Sequence, residues 1–585
     1  MNKKWRIYNT LSNDAVKNLQ KELNIDLIIA KMLHYRGVNT KKEALDFFNP
    51  SLENLHDPFL MKGMTEAVTK LEDAINNNQK ILIYGDYDVD GTTSVALMFD
   101  YLNNYTENIQ YYIPDRYDEG YGLSKKAIDF ANENNFDLII TLDCGIKALE
   151  NIEYGKKHGI DFIVCDHHTP GDVLPDAIIL DPKQKDCEYP YKELCGCGVG
   201  FKLLSGLCKK NDAFSSKTLM QYLDLVAIAI GADIVPITGE NRILCHVGLA
   251  QLNEKPRLGI AKLLELAKRP IPLTLTDVVF VIAPRINAAG RMLHANKAVE
   301  LLISENISMA SDLAETIHES NADRKKTDEE ITNLALQQIE LDPKHHQKCT
   351  NVVFGEAWHK GVVGIVASRI IESSYRPTVV LTQPEKDGLL TGSARSIDGV
   401  DIYEALNNCS NLFEKFGGHT HAAGLSLKIE NLEAFKTRFD DEVRKQLSED
   451  TLIPEQKIES NLDFIQIYKS GEPKNKIPRF KTILQHFEPH GPGNMKPVFC
   501  AENVYISRYK KLKEVHFKVW LRQPETALEL EGIIFNRPDL EAVLADQQPL
   551  NIAFTIEVNE WNGRKSLQLN IKDLRPEVCL VGEEL

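Results

Sequence analysis

Residues 80–180 alternate short apolar runs with helical segments, and this alternation limits the fold more than any other feature of the chain. Lys80-Ile81-Leu82-Ile83-Tyr84 is almost continuously apolar, as a strand covered on both faces must be. A helical pattern follows over 91–103, a strand over 109–113 and a helix over 124–134. Then come a strand over 137–142, a helix over 146–158, and strands over 161–165 and 177–180. Apolar strands alternating with helices of this length make βαβ units, so the block is an α/β domain on a parallel sheet.

The chain has 585 residues, enough for three or four domains. Residues 1–75 read as a helical extension and 76–305 as the parallel-sheet domain. Residues 306–345 read as a connecting helix whose stretch 318–330 is polar on every face, the pattern of a helix bridging domains in solvent. A smaller α/β domain is expected over 346–455, with a glycine-rich segment at 417–424. From 456 the pattern changes: 504–520 and 551–572 alternate apolar and polar residues, and Asn562-Gly563 is a hairpin signal. The expectation there is a small antiparallel barrel.

Composition excludes several classes. Hydrophobic residues make up 43% and charged residues 26%, an ordinary globular balance. No apolar run approaches the roughly 20 residues of a membrane span, and the basic start Met1-Asn2-Lys3-Lys4 has no apolar segment behind it. The 11 cysteines are scattered, with Cys195-Gly-Cys197 the one close pair, which fits reduced, packed thiols and a cytoplasmic protein. A net charge of -16 argues against a blanket polyanion binder. The charge is uneven, however: residues 469–522 carry 12 basic and 4 acidic residues. That island interleaves Tyr468, Phe480, Phe487, Phe499, Tyr505, Tyr509, Phe517 and Trp520 with Lys and Arg, the mixture that single-strand binders use. An alternative use for about half of these rings is to fill the barrel core.

The most informative segment is Tyr84-Gly85-Asp86-Tyr87-Asp88-Val89-Asp90-Gly91. Three carboxylates alternate where a strand ends, the edge at which open α/β sheets bind ligands. Carboxylates this close repel one another unless cations neutralise them, so the inference is a metal site. An EF-hand is rejected because its twelfth loop position is Leu97, and a Walker loop because Thr92-Thr93 follows Gly91 where Lys is required. Asp143, Asp166-His167-His168 and Asp233 fall at comparable element ends. Each alone could be a cap or a loop histidine. Together with 86–90 they form an oxygen-rich set with one or two imidazoles, suited to two hard divalent ions, Mg²⁺ or Mn²⁺. Paired ions of this kind suit in-line displacement at phosphorus.

Asp-Tyr-Asp-Val-Asp-Gly, Asp143-Cys144-Gly145, Asp166-His167-His168 and Gly231-Ala232-Asp233, in this order, resemble the four motifs of the DHH phosphoesterase superfamily. Pro284-Arg285-Ile286-Asn287-Ala288-Ala289-Gly290-Arg291, Trp358-His359-Lys360-Gly361 and Gly392-Ser393-Ala394-Arg395-Ser396 narrow the match to its single-stranded-DNA-specific exonucleases. Gly417-Gly418-His419-Thr420-His421-Ala422-Ala423-Gly424 resembles the signature of the associated DHHA1 domain. The resemblance implies that Asp88, Asp90, Asp143, His167 and Asp233 are metal ligands, with Asp143 bridging both ions and Asp86 supplementing one. Smaller members carry His at the position of Tyr84, which leaves the role of Asp86 open. His168 is implied to be either an outer neighbour of the metals or a proton carrier. Arg285, Arg291, Ser393, Arg395 and His419 are implied to contact nucleic acid; an interdomain salt bridge is the alternative for Arg285 and Arg291.

The resemblance further implies an OB fold at the C-terminus and a two-metal exonuclease that degrades single-stranded DNA 5′→3′ to 5′-mononucleotides in DNA repair and recombination. A single-strand-binding protein and a RecQ-type helicase are the implied partners of a monomeric enzyme with no membrane association. A phosphodiesterase for short oligonucleotides is the rival, and the 130 residues from 456 onward argue against it. A non-catalytic scaffold would have lost ligands that are all present here.

Overall fold

The computed structural model describes residues 3–8, 14–383, 388–468, 472–474, 476–524, 526–546, 548–561 and 563–576. The chain divides into two compact units, residues 52–235 with 239–454, and residues 3–51 with 236–238 and 455–585. The expected extension over 1–75 is therefore divided between them.

In the first unit the strands Ile81–Gly85, Ile109–Tyr112, Leu138–Leu142, Asp161–Cys165 and Ile178–Leu180 form one sheet. Every pair in it is parallel. Ile81, Leu82, Ile83 and Tyr84 are all buried, which explains the unbroken apolar run. All five strands end at the same edge, and the loops there carry the acidic motifs. A second, mixed sheet runs in the order Lys415–His419, Ala422–Lys428, Leu389–Arg395, Thr378–Thr382, Asn351–Gly355. One face is covered by the helix Val363–Ser373 and its own apolar core lies around Phe435 and Phe439.

The helix Ile307–Leu341 is continuous over 35 residues. Its polar middle stands in solvent on one side only, where Asp323, Lys325, Lys326, Glu329 and Glu330 are exposed, and not on every face as the sequence suggests. Ser320, Asn321, Arg324 and Asp328 are buried. Arg324 Nη1 meets Asp328 Oδ2 at 3.2 Å, and Arg369 Nη2, from the helix Val363–Ser373, reaches Asp328 Oδ1 at 2.9 Å. Polar residues sit inside because charged partners on the neighbouring helix pair with them, a pattern invisible to hydrophobic periodicity.

The second unit is a barrel of the strands Phe499–Leu512, His516–Arg522, Glu529–Ile534, Arg564–Pro576 and Leu550–Trp561, closed where Leu550–Trp561 returns to pair with Phe499–Leu512. Its pairings are antiparallel except Glu529–Ile534 with Arg564–Pro576, which is parallel and lets five strands close. Leu550–Trp561 and Arg564–Pro576 make the expected hairpin, with Gly563 at φ 73°; Asn562 lies outside the described residues. The helices Asp14–Leu23, Leu27–Tyr35 and Lys41–Phe48 share the barrel's apolar core. A strand absent from the sequence reading, Lys4–Ile7, pairs in parallel with Glu455–Ile458. No helix among the described residues is long and apolar enough to cross a membrane. The ten described cysteines are free and buried.

Candidate metal centre and adjoining basic cleft

The loop after Ile81–Gly85 turns directly into the helix Val89–Leu102. Asp88 caps that helix, accepting from the Gly91 N–H at 3.0 Å. Gly91 must be glycine: a Cβ there would lie 2.3 Å from the Asp86 carbonyl oxygen. Asp143 follows Leu138–Leu142 at φ 59°, and Ile234, just after Asp233, sits at φ 61°. A β-branched residue in that region carries strain, which the packing around Asp233 must hold.

These turns bring the acidic motifs together. Ligand-capable atoms of Asp86, Asp88 and Asp143 fall within 4.8 Å of one another, as do those of Asp90, His167 and Asp233, and those of Asp143, His167 and His168. His167 Nε2 lies 3.1 Å from Asp143 Oδ1, 3.5 Å from Asp233 Oδ2 and 3.8 Å from Asp90 Oδ2. Asp143 is thus common to two of these groups. Asp86 Oδ1, Asp143 Oδ1 and His167 Nε2 are buried with no hydrogen-bond partner among the described residues. Orphaned buried acceptors within these groups are what cations would satisfy.

The electrostatics agree. Burial, then the neighbouring Asp88, pushes Asp90 up to about 7. Burial, then Asp90 and Asp88, pushes Asp233 up to about 9. Asp86 and Asp143 are likewise raised well above the carboxylate range by burial and by their acidic neighbours. Burial and the adjacent His168 lower His167 to about 3, so its imidazole is neutral, as a ligand must be. The donor set, oxygen-rich with a neutral imidazole, fits Mn²⁺ or Mg²⁺.

Two supporting roles escaped the sequence reading, which counted Asp166 among the ligand set although it joins none of the ligand groups. Asp90 accepts from the backbone N–H of Gly196 at 2.6 Å and of Cys197 at 2.8 Å, at the start of the helix Gly196–Lys210. Cys195-Gly-Cys197 is thus the helix N-terminus that holds Asp90. A Cβ on Gly196 would come within 2.5 Å of the Asp143 Cβ. Asp166 plays the second role. It accepts from the N–H groups of Ile146, His167 and His168 and from His168 Nδ1 at 2.7 Å. Although burial opposes its charge, these hydrogen bonds and the His168 charge hold Asp166 down at about 2. Asp166 therefore orients His168, whose Nε2 meets the Tyr121 hydroxyl at 3.0 Å. Tyr84, at the position that is His in smaller members, donates to the Gly122 carbonyl at 2.7 Å and is not among the ligand groups.

Tyr87, between Asp86 and Asp88, also lines a cleft of about 520 Å³ with Arg116, Arg291, Lys360, Ser393, Arg395 and Lys415. Among the described residues none of its five cations has a carboxylate within 4.0 Å. Burial, with the nearby Arg116, Arg324 and Arg395, pushes Arg291 down to about 10. Arg291 Nη1 donates to the Gly361 carbonyl at 2.8 Å, and Arg395 Nη1 donates to Ser393 Oγ at 2.7 Å.

Arg285 does not line this cleft. It is buried, donates to the Val281 carbonyl at 2.6 Å and to His318 Nδ1 at 3.3 Å, and makes no salt bridge among the described residues. It shares a helix with Arg291, but side chains six positions apart do not share a helix face. Arg116 takes the place expected for it. An Asx turn from Asp115 to the N–H groups of Tyr117 and Asp118 presents Arg116, whose guanidinium lies 4.6 Å from the Tyr87 ring centroid. His419 sits exposed on the same sheet, Nδ1 3.2 Å from the Ala422 carbonyl, and is not in the cleft lining.

In the barrel unit, Phe480, Phe487, Phe499 and Phe517 are buried, with Tyr468, leaving Tyr505, Tyr509 and Trp520 at the surface. Arg508 lies 4.2 Å and Lys518 5.1 Å from the Trp520 ring. Lys469 of the island lies outside the described residues.

Known proteins carry the same architecture. A model of the DHH family, N-terminal domain, matches residues 80–230, a DHHA1 domain model matches 346–445, and a RecJ OB domain model matches 473–573. The single-stranded-DNA-specific exonuclease RecJ of Bacillus subtilis is 37% identical over 577 residues, spanning 97% of this chain and 70% of that protein. Its counterpart in Salmonella typhimurium is 34% identical over 581 residues, spanning 95% and 97%. The crystal structure of RecJ in complex with Mn²⁺ from Thermus thermophilus superposes with a TM-score of 0.81 at 27% identity, covering 100% of this chain and 80% of that one. Identity at this level across nearly the whole chain, over the same three kinds of domain, means that the chain belongs to the RecJ family of single-stranded-DNA-specific exonucleases.

Proposed function

We propose that the chain is a single-stranded-DNA exonuclease that works 5′→3′, uses two divalent ions and releases 5′-mononucleotides. The observation that carries this reading is the acidic centre opening, at Tyr87, into a cleft lined by five cations that have no carboxylate partner among the described residues. Asp86, Asp88 and Asp143 would hold one ion, and Asp90, His167 and Asp233 the other, with Asp143 shared. When bound, Mn²⁺ or Mg²⁺ supplies Lewis acidity toward water and the phosphoryl oxygens.

The chain's own groups do the rest. His168, steered by Asp166, is placed to carry a proton at the edge of the centre. Arg116 and Arg291 counter charge developing at phosphorus. Arg395 and Ser393, with Arg291, form a pocket for a terminal 5′-phosphate, whose charge and acceptor oxygens exceed those of a diester. A grip on a 5′-phosphate beside the centre supports 5′→3′ polarity. Tyr505, Tyr509 and Trp520 with their flanking cations suit stacking of single-strand bases. Action in the cytoplasm as a monomer, in repair and recombination beside a single-strand-binding protein and a RecQ-type helicase, is part of the same proposal and rests on family resemblance.

The test is release of mononucleotides from matched single-stranded and duplex DNA, with Mn²⁺ and with chelator, using substrates labelled at either end. Cleavage of single strands alone, ordered from the 5′ end and stopped by chelator, is expected. Products ordered from the 3′ end would refute the polarity.

A further inference from the structure

The floor of the basic cleft is built from three neighbouring strands, and their register sets out rows of side chains. His419, Ala422 and Arg395 form one row, Gly417, Gly424 and Ser393 the next, and Lys415, Ser426 and Thr391 the third. Residues two apart on a strand face the same way, so successive rows are about 7 Å apart. The Arg395 guanidinium folds back to Ser393 Oγ, which places the grip for a terminal phosphate over the middle row.

That middle row is otherwise bare. The fold does not demand it: a Cβ at Gly417 would meet nothing within 4 Å, and at Gly424 only a carbonyl oxygen at 3.9 Å. Both glycines lie inside strands, where glycine costs stability, and neither has a positive φ at that cost. Glycine inside a strand marks a bulge, a tight bend or close approach by a ligand or another backbone, and the pairing at Gly417 and Gly424 is regular, which leaves close approach. Beyond the bare row, Lys415, Thr391 and Ser426 line the same cleft, and the Thr391 hydroxyl donates to the Leu425 carbonyl at 3.4 Å.

Charge points the same way. A terminal phosphomonoester brings a charge of about -2, while Arg116, Arg291, Lys360, Arg395 and Lys415 bring five positive charges. One phosphoryl group over the middle row cannot also reach the third row, about 7 Å away.

We propose that Lys415, Thr391 and Ser426 form a second phosphate subsite, which accepts the outer phosphates of a 5′-polyphosphorylated strand end such as a 5′-triphosphate. This rests on the reading that Arg395 and Ser393 hold the terminal 5′-phosphate. Hydrolysis then proceeds at the first internal diester. The water oxygen joins phosphorus, the bond from phosphorus to the 3′ oxygen breaks, and that oxygen takes a proton. The first product is a nucleoside 5′-triphosphate, and the shortened strand carries an ordinary 5′-monophosphate.

The experiment uses the full chain with Mn²⁺ and one single-stranded oligodeoxynucleotide bearing a 5′-hydroxyl, a 5′-monophosphate or a 5′-triphosphate. The unmodified protein should process the triphosphate end at least as efficiently as the monophosphate end and release nucleoside triphosphate first. In Lys415→Met the ratio of kcat/KM on triphosphate to monophosphate ends should fall about tenfold or more, the size of a lost hydrogen bond to a charged group. Gly424→Ala, which meets no close contact in the fold, should lower kcat/KM on both phosphorylated ends relative to the hydroxyl end without lowering Tm. Rejection of triphosphate ends by the unmodified protein would overturn the proposal. So would an equal loss on all three ends in Lys415→Met, which would place Lys415 on an internal diester. Arg395→Ala separates the two levels. If it removes the difference between monophosphate and hydroxyl ends while Lys415→Met leaves the ratio unchanged, only the second subsite is refuted. If it affects both ends equally, the terminal-phosphate pocket fails and the second subsite with it.

Discussion

Replacing Asp166 tests whether a buried carboxylate outside the ligand groups controls turnover through one histidine. Asp166 is 1% exposed. Its Oδ2 accepts from Ile146 N–H at 2.9 Å, and its Oδ1 accepts from His167 N–H, His168 N–H and His168 Nδ1. In Asp166→Asn the amide oxygen can keep the three Oδ1 bonds, but the amide nitrogen then faces the Ile146 N–H, donor against donor. One buried donor left unsatisfied costs about 1–3 kcal/mol. Asp166→Ala strands the buried N–H groups of both Ile146 and His167, so its cost is roughly twice that and approaches the upper tail for single substitutions. Urea unfolding of the metal-free protein measures both. For turnover, the neutral amide loses the charge that helps to raise the His168 pKa, and kcat should fall by roughly tenfold to a hundredfold, the usual effect of losing an outer partner of a metal-site histidine. A double-mutant cycle with His168→Ala isolates the route. If Asp166 acts through His168, Asp166→Asn adds little to the kcat loss in a His168→Ala background. Additive losses would refute that route, and unchanged unfolding midpoints in Asp166→Ala would refute the hydrogen-bond reasoning itself.

Asp143→Ala should abolish cleavage, while Asp143→Asn should raise the melting temperature of the metal-free protein, because it removes one of several buried carboxylates that repel one another. The unmodified protein should gain about 2.7 kcal/mol from Mn²⁺ at a hundredfold excess over Kd, and calorimetry with and without chelator should show that gain shrink in Asp143→Asn. Arg291→Ala should lower kcat/KM with 5′-phosphorylated substrate by about 1.5–3 kcal/mol, whereas Arg285→Ala should lower Tm with no preference between phosphate and hydroxyl ends; reversed effects would contradict the placement of the two residues. In the barrel unit, Tyr509→Ala should weaken single-strand binding by about 1–3 kcal/mol if a base stacks there. Neutralising Arg508 and Lys510 together should make the slope of log K against log salt shallower by about 1.4, read by fluorescence anisotropy. Point changes are the right tool here, since deleting residues from 456 onward would strip the helices of residues 14–48 of the core they share with the barrel.

Much of the acidic centre was legible because its residues are set by local rules. A strand ends, a helix is capped, and the carboxylate stands at the sheet edge; Asp86, Asp88, Asp90 and Asp143 obey these rules within a few residues of chain. The supporting contacts obey no local rule. Asp90 meets Gly196 and Cys197 more than a hundred residues away, and only the closeness of Cys195 and Cys197 hinted that the segment was special. Periodicity failed over 318–330 because a helix reads as solvated wherever its buried face is charged, and Arg369, which joins Arg324 in pairing with Asp328, lies on another element.

The arginines show the same limit more sharply. Arg285 and Arg291 belong to one short motif, Pro284 to Arg291, and sequence gives them one role. The helix Ala283–Met292 turns them to different sides. Arg285 is spent on a backbone carbonyl, and Arg291 reaches the cleft against the field of Arg116 and Arg395. A cation held among other cations, with no carboxylate nearby, is destabilised until an anion arrives. What separates the two is where each guanidinium stands: Arg285 is buried against a backbone carbonyl and a histidine, whereas Arg291 lines the cleft with Arg116 and Arg395 and faces their charge. The overall charge of -16 then works with the cleft and not against it. An acidic surface discourages polyanions elsewhere on the molecule, so the few places where positive charge is left unmatched become the places where a nucleic-acid strand can be held.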